Sequence, residues 1–111
     1  MERFKKYSDK KLDVERVKDE SKLSSFGITC RYLPDPPEEF DEFEFVSTLE
    51  KEGDLGFVIT IVEGEIKKIL FGLIDEKDPD IIRPLSDEKL LLMLANKGGD
   101  LTGFFDWVTG G

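Results

Sequence analysis

The sequence predicts a single α+β domain, in which an antiparallel sheet of three to five strands carries a C-terminal helix on one face. Two runs rich in β-branched and aromatic residues, 55–62 and 65–74, flank a dipeptide that ends in Gly64, and this pattern predicts a hairpin. Residues 86–97 begin with a serine and two acids and are followed by two glycines, which predicts a helix. The length of 111 residues fits one domain.

The N-terminal region gives the weakest pattern. Val14 and Val17 share a helical face, but Leu12 does not fit the same stripe. We therefore divide the chain into a helix or partly ordered N-terminal arm over residues 1–27 and an α+β core domain over residues 28–111.

A strand is predicted over residues 28–33, because apolar and polar positions alternate there. The alternation places Ile28, Cys30 and Tyr32 on one face of the strand. Three prolines between residues 34 and 37 end it, since proline has no N–H to donate to a neighbouring strand.

The other elements follow from similar patterns. Residues 43–50 predict a second strand, and residues 81–85 a short strand or an extended link. One face of the second strand is predicted to carry Phe43, Phe45, Ser47 and Leu49. A short helix is predicted near the C-terminal end of the sequence, with four apolar residues facing the core: Leu101, Phe104, Phe105 and Val108.

The negative charge of the chain is concentrated in residues 35–54, here called the acidic segment. It holds nine acids and one base, for a net charge of −8, whereas the whole chain carries −9. Residues 1–34 are net positive, at +3. Because acids repel phosphates, we expect no direct binding of nucleic acid, and we expect attraction to a basic protein surface instead.

The residue types argue against enzyme chemistry. The chain has no histidine and one cysteine, so it lacks the commonest general base and the usual zinc ligands. Phosphate-binding glycine motifs and the G-x-S-x-G motif are also absent from the sequence. We therefore expect no enzymatic activity, no catalytic residue, no metal and no cofactor. Asp75, Asp78 and Asp80 leave a cation site open, although a solvated turn explains them better.

Cys30 has two interpretations. Arg31 beside it would favour a reactive thiolate, but the chain offers no histidine to complete a nucleophilic site. A small apolar residue on the inner face of a strand is the better interpretation, because unpaired cysteines are often buried.

The acidic segment also contains three phenylalanines, and it has two interpretations. In the first, the phenylalanines face the core and the acids are solvated. In the second, the carboxylates imitate the phosphates of a nucleic acid and the rings enter apolar pockets of a partner. The exposure of Phe40, Phe43 and Phe45 decides between them. The candidate partner-binding residues are Glu38, Glu39, Phe40, Asp41, Glu42, Phe43, Glu44 and Trp107.

Trp107 is the only tryptophan of the chain. Tryptophan is enriched at interface hot spots, which is why it belongs to the candidate set. The structural interpretation, that Trp107 closes one end of the core, is favoured because a small domain needs large side chains to fill its interior.

The sequence therefore favours a non-catalytic protein-binding domain. It would be a small acidic inhibitor or immunity-type protein that binds a basic, nucleic-acid-binding protein, with nucleic-acid mimicry as its mode of binding. The alternative is a structural subunit of a virion or another assembly, which would use its apolar C-terminal tail and N-terminal arm. We expect a monomer or weak homo-oligomer in the cytoplasm (of the host cell if the gene is viral), without membrane contact.

Overall fold

The computed structural model describes residues 2–34, 38–49, 53–74, 77, 82–90 and 100–110. Its centre is an antiparallel sheet of five strands in the order β1-β2-β3-β4-β5. The strands are β1 Ile28–Tyr32, β2 Phe40–Leu49, β3 Gly53–Val62, β4 Glu65–Ile74 and β5 Ile82–Pro84. The predicted α+β class is confirmed, and the strand number is the upper end of the predicted range.

Short helices contribute buried residues to the core of this sheet. They are a 3₁₀-helix at Glu2–Tyr7, α1 at Val14–Val17, α2 at Glu20–Ser25 and α3 at Leu101–Val108. An aspartate precedes each of α1, α2 and α3 and accepts a hydrogen bond from a backbone N–H of the first turn. These aspartates satisfy N–H groups that have no partner inside the helix.

The helix predicted over residues 86–97 begins where expected. Residues 87–90 are helical, and the Ser86 hydroxyl accepts a hydrogen bond from the Lys89 N–H at 3.3 Å. Leu90 is buried in the core. The remainder of that prediction, residues 91–97, lies outside the described residues.

The hairpin between β3 and β4 is confirmed. Glu63 has a φ of 52° and Gly64 a φ of 83°, and Val62 pairs with Glu65 across the turn. Positive φ at both central residues is the geometry of a two-residue hairpin turn whose twist matches the strands. Glycine takes the second position without the strain that a Cβ atom would bring.

The core lies on one face of the sheet, here called the inner face. Phe43 pairs with Ile59 and Phe45 pairs with Phe57, and these four side chains are fully buried. Helix α3 packs on this face, and the ring of Phe104 lies 5.0 Å from that of Phe45. The four apolar residues of α3 that were predicted to face the core are all buried.

The N-terminal region is joined to the sheet by backbone hydrogen bonds. The Asp9 N–H donates to the Ile66 carbonyl at 2.7 Å, and the Leu12 N–H donates to the Gly64 carbonyl at 2.9 Å. Tyr7 is buried in the same core as the strands. For residues 1–27 the sequence predicted either a helix or a partly ordered arm, and the structure has three short helices there. The division into residues 1–27 and 28–111 stays a prediction.

One strand prediction is wrong at its end. Cys30 pairs with Phe45, but Tyr32 pairs with Glu44, so the register shifts by one residue between them. This bulge moves Tyr32 to the face opposite Cys30, because an extra residue reverses the alternation of side chains. Ile28 and Cys30 keep the predicted inner face, whereas Tyr32 does not.

Candidate protein-binding surface

The face of the sheet opposite the core is here called the outer face. Three large apolar side chains are exposed in the described part of the chain: Tyr32 at 53%, Phe40 at 59% and Leu70 at 38%. The strand pairing places all three on the outer face. Phe40 lies an odd number of residues before the buried Phe43 on β2, so its side chain points to the opposite face. Tyr32 and Leu70 belong to one row of paired residues on that face.

That row crosses four strands, and it is here called the cross-strand row. Tyr32 pairs with Glu44, Glu44 with Val58, and Val58 with Leu70. Residues directly opposite each other in an antiparallel pair point to the same side of the sheet. With strands about 4.8 Å apart, the row is roughly 14 Å long. Its exposed members are the Tyr32 ring and Leu70, its carboxylate is half-buried, and Val58 is buried.

Glu44 is the carboxylate within this row. It is half-buried between the neighbouring side chains of β1 and β3. Among the described residues, no hydrogen-bond donor or cation contacts its side chain. The carboxylate can therefore accept hydrogen bonds from a group outside the chain.

The other acids of the candidate set differ in what they contact. Glu38, Glu39 and Glu42 are exposed, and Glu42 shares the outer face with Phe40. Asp41 instead binds its own backbone. Its carboxylate accepts from the Glu38 N–H at 3.1 Å and from the Glu42 N–H at 3.0 Å. Asp41 thus shapes the loop that enters β2, a common role for aspartate next to a turn.

The three phenylalanines of the acidic segment separate into two groups. Phe43 and Phe45 are fully buried, and the Phe45 ring lies 5.1 Å from that of Phe57. Phe40 is exposed. In the folded chain Phe43 offers no side-chain surface to a partner, so the candidate surface loses this residue and keeps Phe40 beside the acids.

Trp107 lies on the helical side of the sheet. Its ring is half-buried between two cations: the Arg16 guanidinium carbon is 4.5 Å from a ring centroid, and the Lys22 amine is 5.0 Å away. The indole N–H donates to the Arg16 carbonyl at 3.3 Å, and Arg16 Nη1 donates to the Trp107 carbonyl at 2.9 Å. Trp107 packs against the core, as the structural interpretation expects, and the structure does not bring it together with Phe40.

The outer face carries both acids and bases. Glu42 and Glu44 lie on β2. On β4, Glu65 pairs with Val62, which itself pairs with Phe40. Glu42 pairs with Thr60, and Thr60 pairs with Lys68 of β4, which is exposed. The face therefore carries acids next to Phe40 and a base about two strand spacings, roughly 10 Å, away. A partner that meets the Phe40 side meets the negative part.

Cys30 lies on the inner face, opposite Phe45. Burial raises the pKa of its thiol, a backbone hydrogen bond with Tyr32 lowers it, and the nearby Glu20 and Glu44 raise it further, so that the pKa is raised overall. The thiol lines a cavity of about 280 Å³ between α2 and β1, together with Glu20, Leu23, Ser24, Ile28 and Thr29. A raised pKa disfavours the nucleophilic thiolate, which agrees with a packing role.

In the described residues, no group of three acidic, cysteine or histidine side chains is arranged to hold a metal ion. The cation site left open by the sequence, Asp75, Asp78 and Asp80, lies outside them. No helix of the described part is long and apolar enough to cross a membrane.

Comparisons with known proteins found no matching family model, no matching curated protein and no matching solved structure.

Proposed function

We propose that this chain is a non-catalytic protein-binding domain that binds a basic surface of another protein through the outer face. The binding surface, here called the outer-face surface, consists of Tyr32, Phe40, Glu42, Glu44 and Leu70, with Glu38 and Glu39 at its margin. The observation that carries the proposal is that the exposed large apolar side chains of the described residues share one face with unpaired acids.

The apolar part of this surface supplies the binding energy. The outer face of an antiparallel sheet is ordinarily polar where it meets water. Here two aromatic rings and a leucine are exposed on it. Aromatic side chains dominate the energetics of protein interfaces, and an apolar centre with a charged rim is their usual composition.

The acids select the partner. The acidic segment carries a net charge of −8 in twenty residues, which costs self-repulsion that a basic partner relieves. Complementary charge also speeds the encounter of the two proteins. The finer proposal is a cytoplasmic inhibitor or immunity-type protein, whose carboxylates imitate phosphates and block the site of a nucleic-acid-binding protein.

The alternative, a subunit of an assembly, has less support. It uses the C-terminal tail and the N-terminal arm, and in the structure these two segments contact each other. The Tyr7 hydroxyl donates to the Asp106 carboxylate at 2.8 Å, and the Asp13 N–H donates to the Val108 carbonyl at 2.7 Å. Because the two segments bind each other within one chain, less of their surface is available to contact neighbouring copies.

The test is capture of the partner from cells that carry the gene, followed by elution in a salt gradient. The variant combines Phe40→Ala with Glu38→Gln, Glu39→Gln and Glu42→Gln. Asp41 is left intact, because its carboxylate holds the backbone of the loop. The control removes three exposed acids elsewhere, by Glu15→Gln, Glu20→Gln and Glu88→Gln.

We expect one dominant basic protein that elutes from the native chain and the control at the same salt concentration, and from the variant at a much lower one. Salt weakens attraction between exposed charges, so elution reports on the electrostatic part of binding. Equal retention by the variant, or retention that salt does not change, would remove the basis of the proposal.

A further inference from the structure

Resting on the proposed function, we infer that the outer face binds an arginine side chain of the partner, with Glu44 accepting hydrogen bonds from the guanidinium and the Tyr32 ring stacking on it. The inference names the chemistry of the partner: a segment that presents arginine, for which lysine is a poor substitute.

The first observation is the position of Glu44. Its side chain is half-buried in the cross-strand row, and within the described part of the chain it has neither a hydrogen-bond donor nor a cation in contact. Partial burial removes water from a carboxylate and makes a charged partner more favourable than at a fully exposed site. A carboxylate has two acceptor oxygens, and the arginine fork presents two parallel N–H groups that match them.

The second observation is the ring beside that carboxylate. Tyr32 pairs directly with Glu44 and is 53% exposed. Directly opposite residues have Cβ atoms about 5 Å apart, so one planar cation can contact both side chains. A guanidinium stacks on an aromatic face while its edge bonds a carboxylate, whereas the compact lysine ammonium cannot make a planar contact and a two-pronged bond at once.

The same chain provides an example of this chemistry. The Arg16 guanidinium lies over the Trp107 ring at 4.5 Å and also donates a hydrogen bond at 2.9 Å. On the outer face the ring and the acceptor are in place, and no cation of the described residues contacts the Glu44 carboxylate. Leu70 continues the row beyond the buried Val58, and its exposed side chain can cover the aliphatic stem of an arginine.

The experiment measures binding of two short fluorescent peptides by anisotropy. Arginine alternates with glycine in one, lysine alternates with glycine in the other, and the two peptides are equal in length and charge. We expect the native chain to bind the arginine peptide about 5-fold more tightly, because lysine cannot contact the ring and bond the carboxylate at once and so loses roughly the worth of one cation–π contact at an exposed site. Both affinities fall as salt rises.

Variants assign this preference to the two side chains. Tyr32→Leu should bring the two affinities together, whereas Tyr32→Phe should keep the preference because the ring remains. Glu44→Gln should weaken the arginine peptide more than the lysine peptide, and the control Glu88→Gln, an exposed acid beyond β5, should change the preference in neither direction. The free energy of unfolding of each variant shows that the fold is intact.

The outcomes separate the two proposals. Equal, salt-sensitive binding of both peptides would overturn the arginine inference and leave the proposed function standing. Binding of neither peptide at low salt would overturn both. Light scattering that shows a dimer of the native chain, lost in Tyr32→Leu, would also overturn the inference, because a second copy would then occupy the outer face.

Discussion

The two faces of β2 differ in the exposure of their phenylalanines, although the strand carries the same residue type on both. On the inner face, Phe43 and Phe45 are fully buried against β3 and α3, and on the outer face Phe40 is 59% exposed beside Glu42. The same residue type therefore has two roles on one strand. An acidic, phenylalanine-rich segment supplies the core on one face and an exposed ring beside acids on the other, and the period of two decides which residue lies on which face.

The largest effect should come from comparing Phe45→Ala with Phe40→Ala. Phe45 contacts the rings of Phe57 and Phe104, so its removal leaves a cavity and should lower the free energy of unfolding by about 3–5 kcal/mol. Phe40→Ala should change it by less than about 0.5 kcal/mol, as at other exposed sites. Urea unfolding of both variants measures the difference. Similar losses in the two variants would contradict the division between the faces.

A smaller effect should separate two neighbouring acids. Asp41→Ala removes an acceptor of two backbone N–H groups and should lower the free energy of unfolding by about 1 kcal/mol. Glu42→Ala removes the same charge from a solvated side chain and should change it by less than about 0.5 kcal/mol. Both variants lose one negative charge, so any stabilisation from reduced repulsion is the same in the two. Equal free energies of unfolding would show that Asp41 has no structural role.

The smallest expected effect is a difference in reaction rate between thiols on the two faces of β1. Cys30 lies on the inner face with a raised pKa, whereas its neighbour Thr29 is exposed and pairs with Val46 on the outer face. A thiol introduced by Thr29→Cys, in a chain that also carries Cys30→Ala, should react faster with iodoacetamide near pH 8 than native Cys30, because more of it is accessible thiolate.

Unfolding in denaturant provides the control for this comparison. Both thiols should then react at similar rates, since the pKa shift and the burial disappear with the fold. A native Cys30 that reacts as fast as the introduced cysteine in the folded chain would place it outside the core.

Local sequence patterns sufficed where each element depends on its own residues. The hairpin turn at Glu63 and Gly64, and the inward face of α3, follow from turn chemistry and helical period. The burial of Phe43 and Phe45 follows from alternation along β2. The division between core and surface phenylalanines was left open, because the predicted strand began at Phe43 and assigned no face to Phe40.

The features that escaped prediction depend on contacts between distant residues. Strand β2 begins at Phe40, where pairing with the end of β3 starts, and the Glu63 N–H just after β3 donates to the Glu39 carbonyl at 2.7 Å. The bulge that turns Tyr32 outward exists only in the pairing of β1 with β2. An aromatic residue in an alternating run gives no local sign of such a shift, so half of the candidate arginine site was assigned to the wrong face.

The contacts between the N-terminal region and α3 can form only late in synthesis, because the ribosome makes α3 last of the described elements. Tyr7 and its partner Asp106 are 99 positions apart. At about 5–20 residues per second, a ribosome makes the second roughly 5–20 s after the first. Over that interval the aromatic rings of the 3₁₀-helix lack the Phe105 ring against which they pack. The nascent chain thus carries uncovered apolar surface until α3 emerges, and this interval is when a chaperone has something to bind.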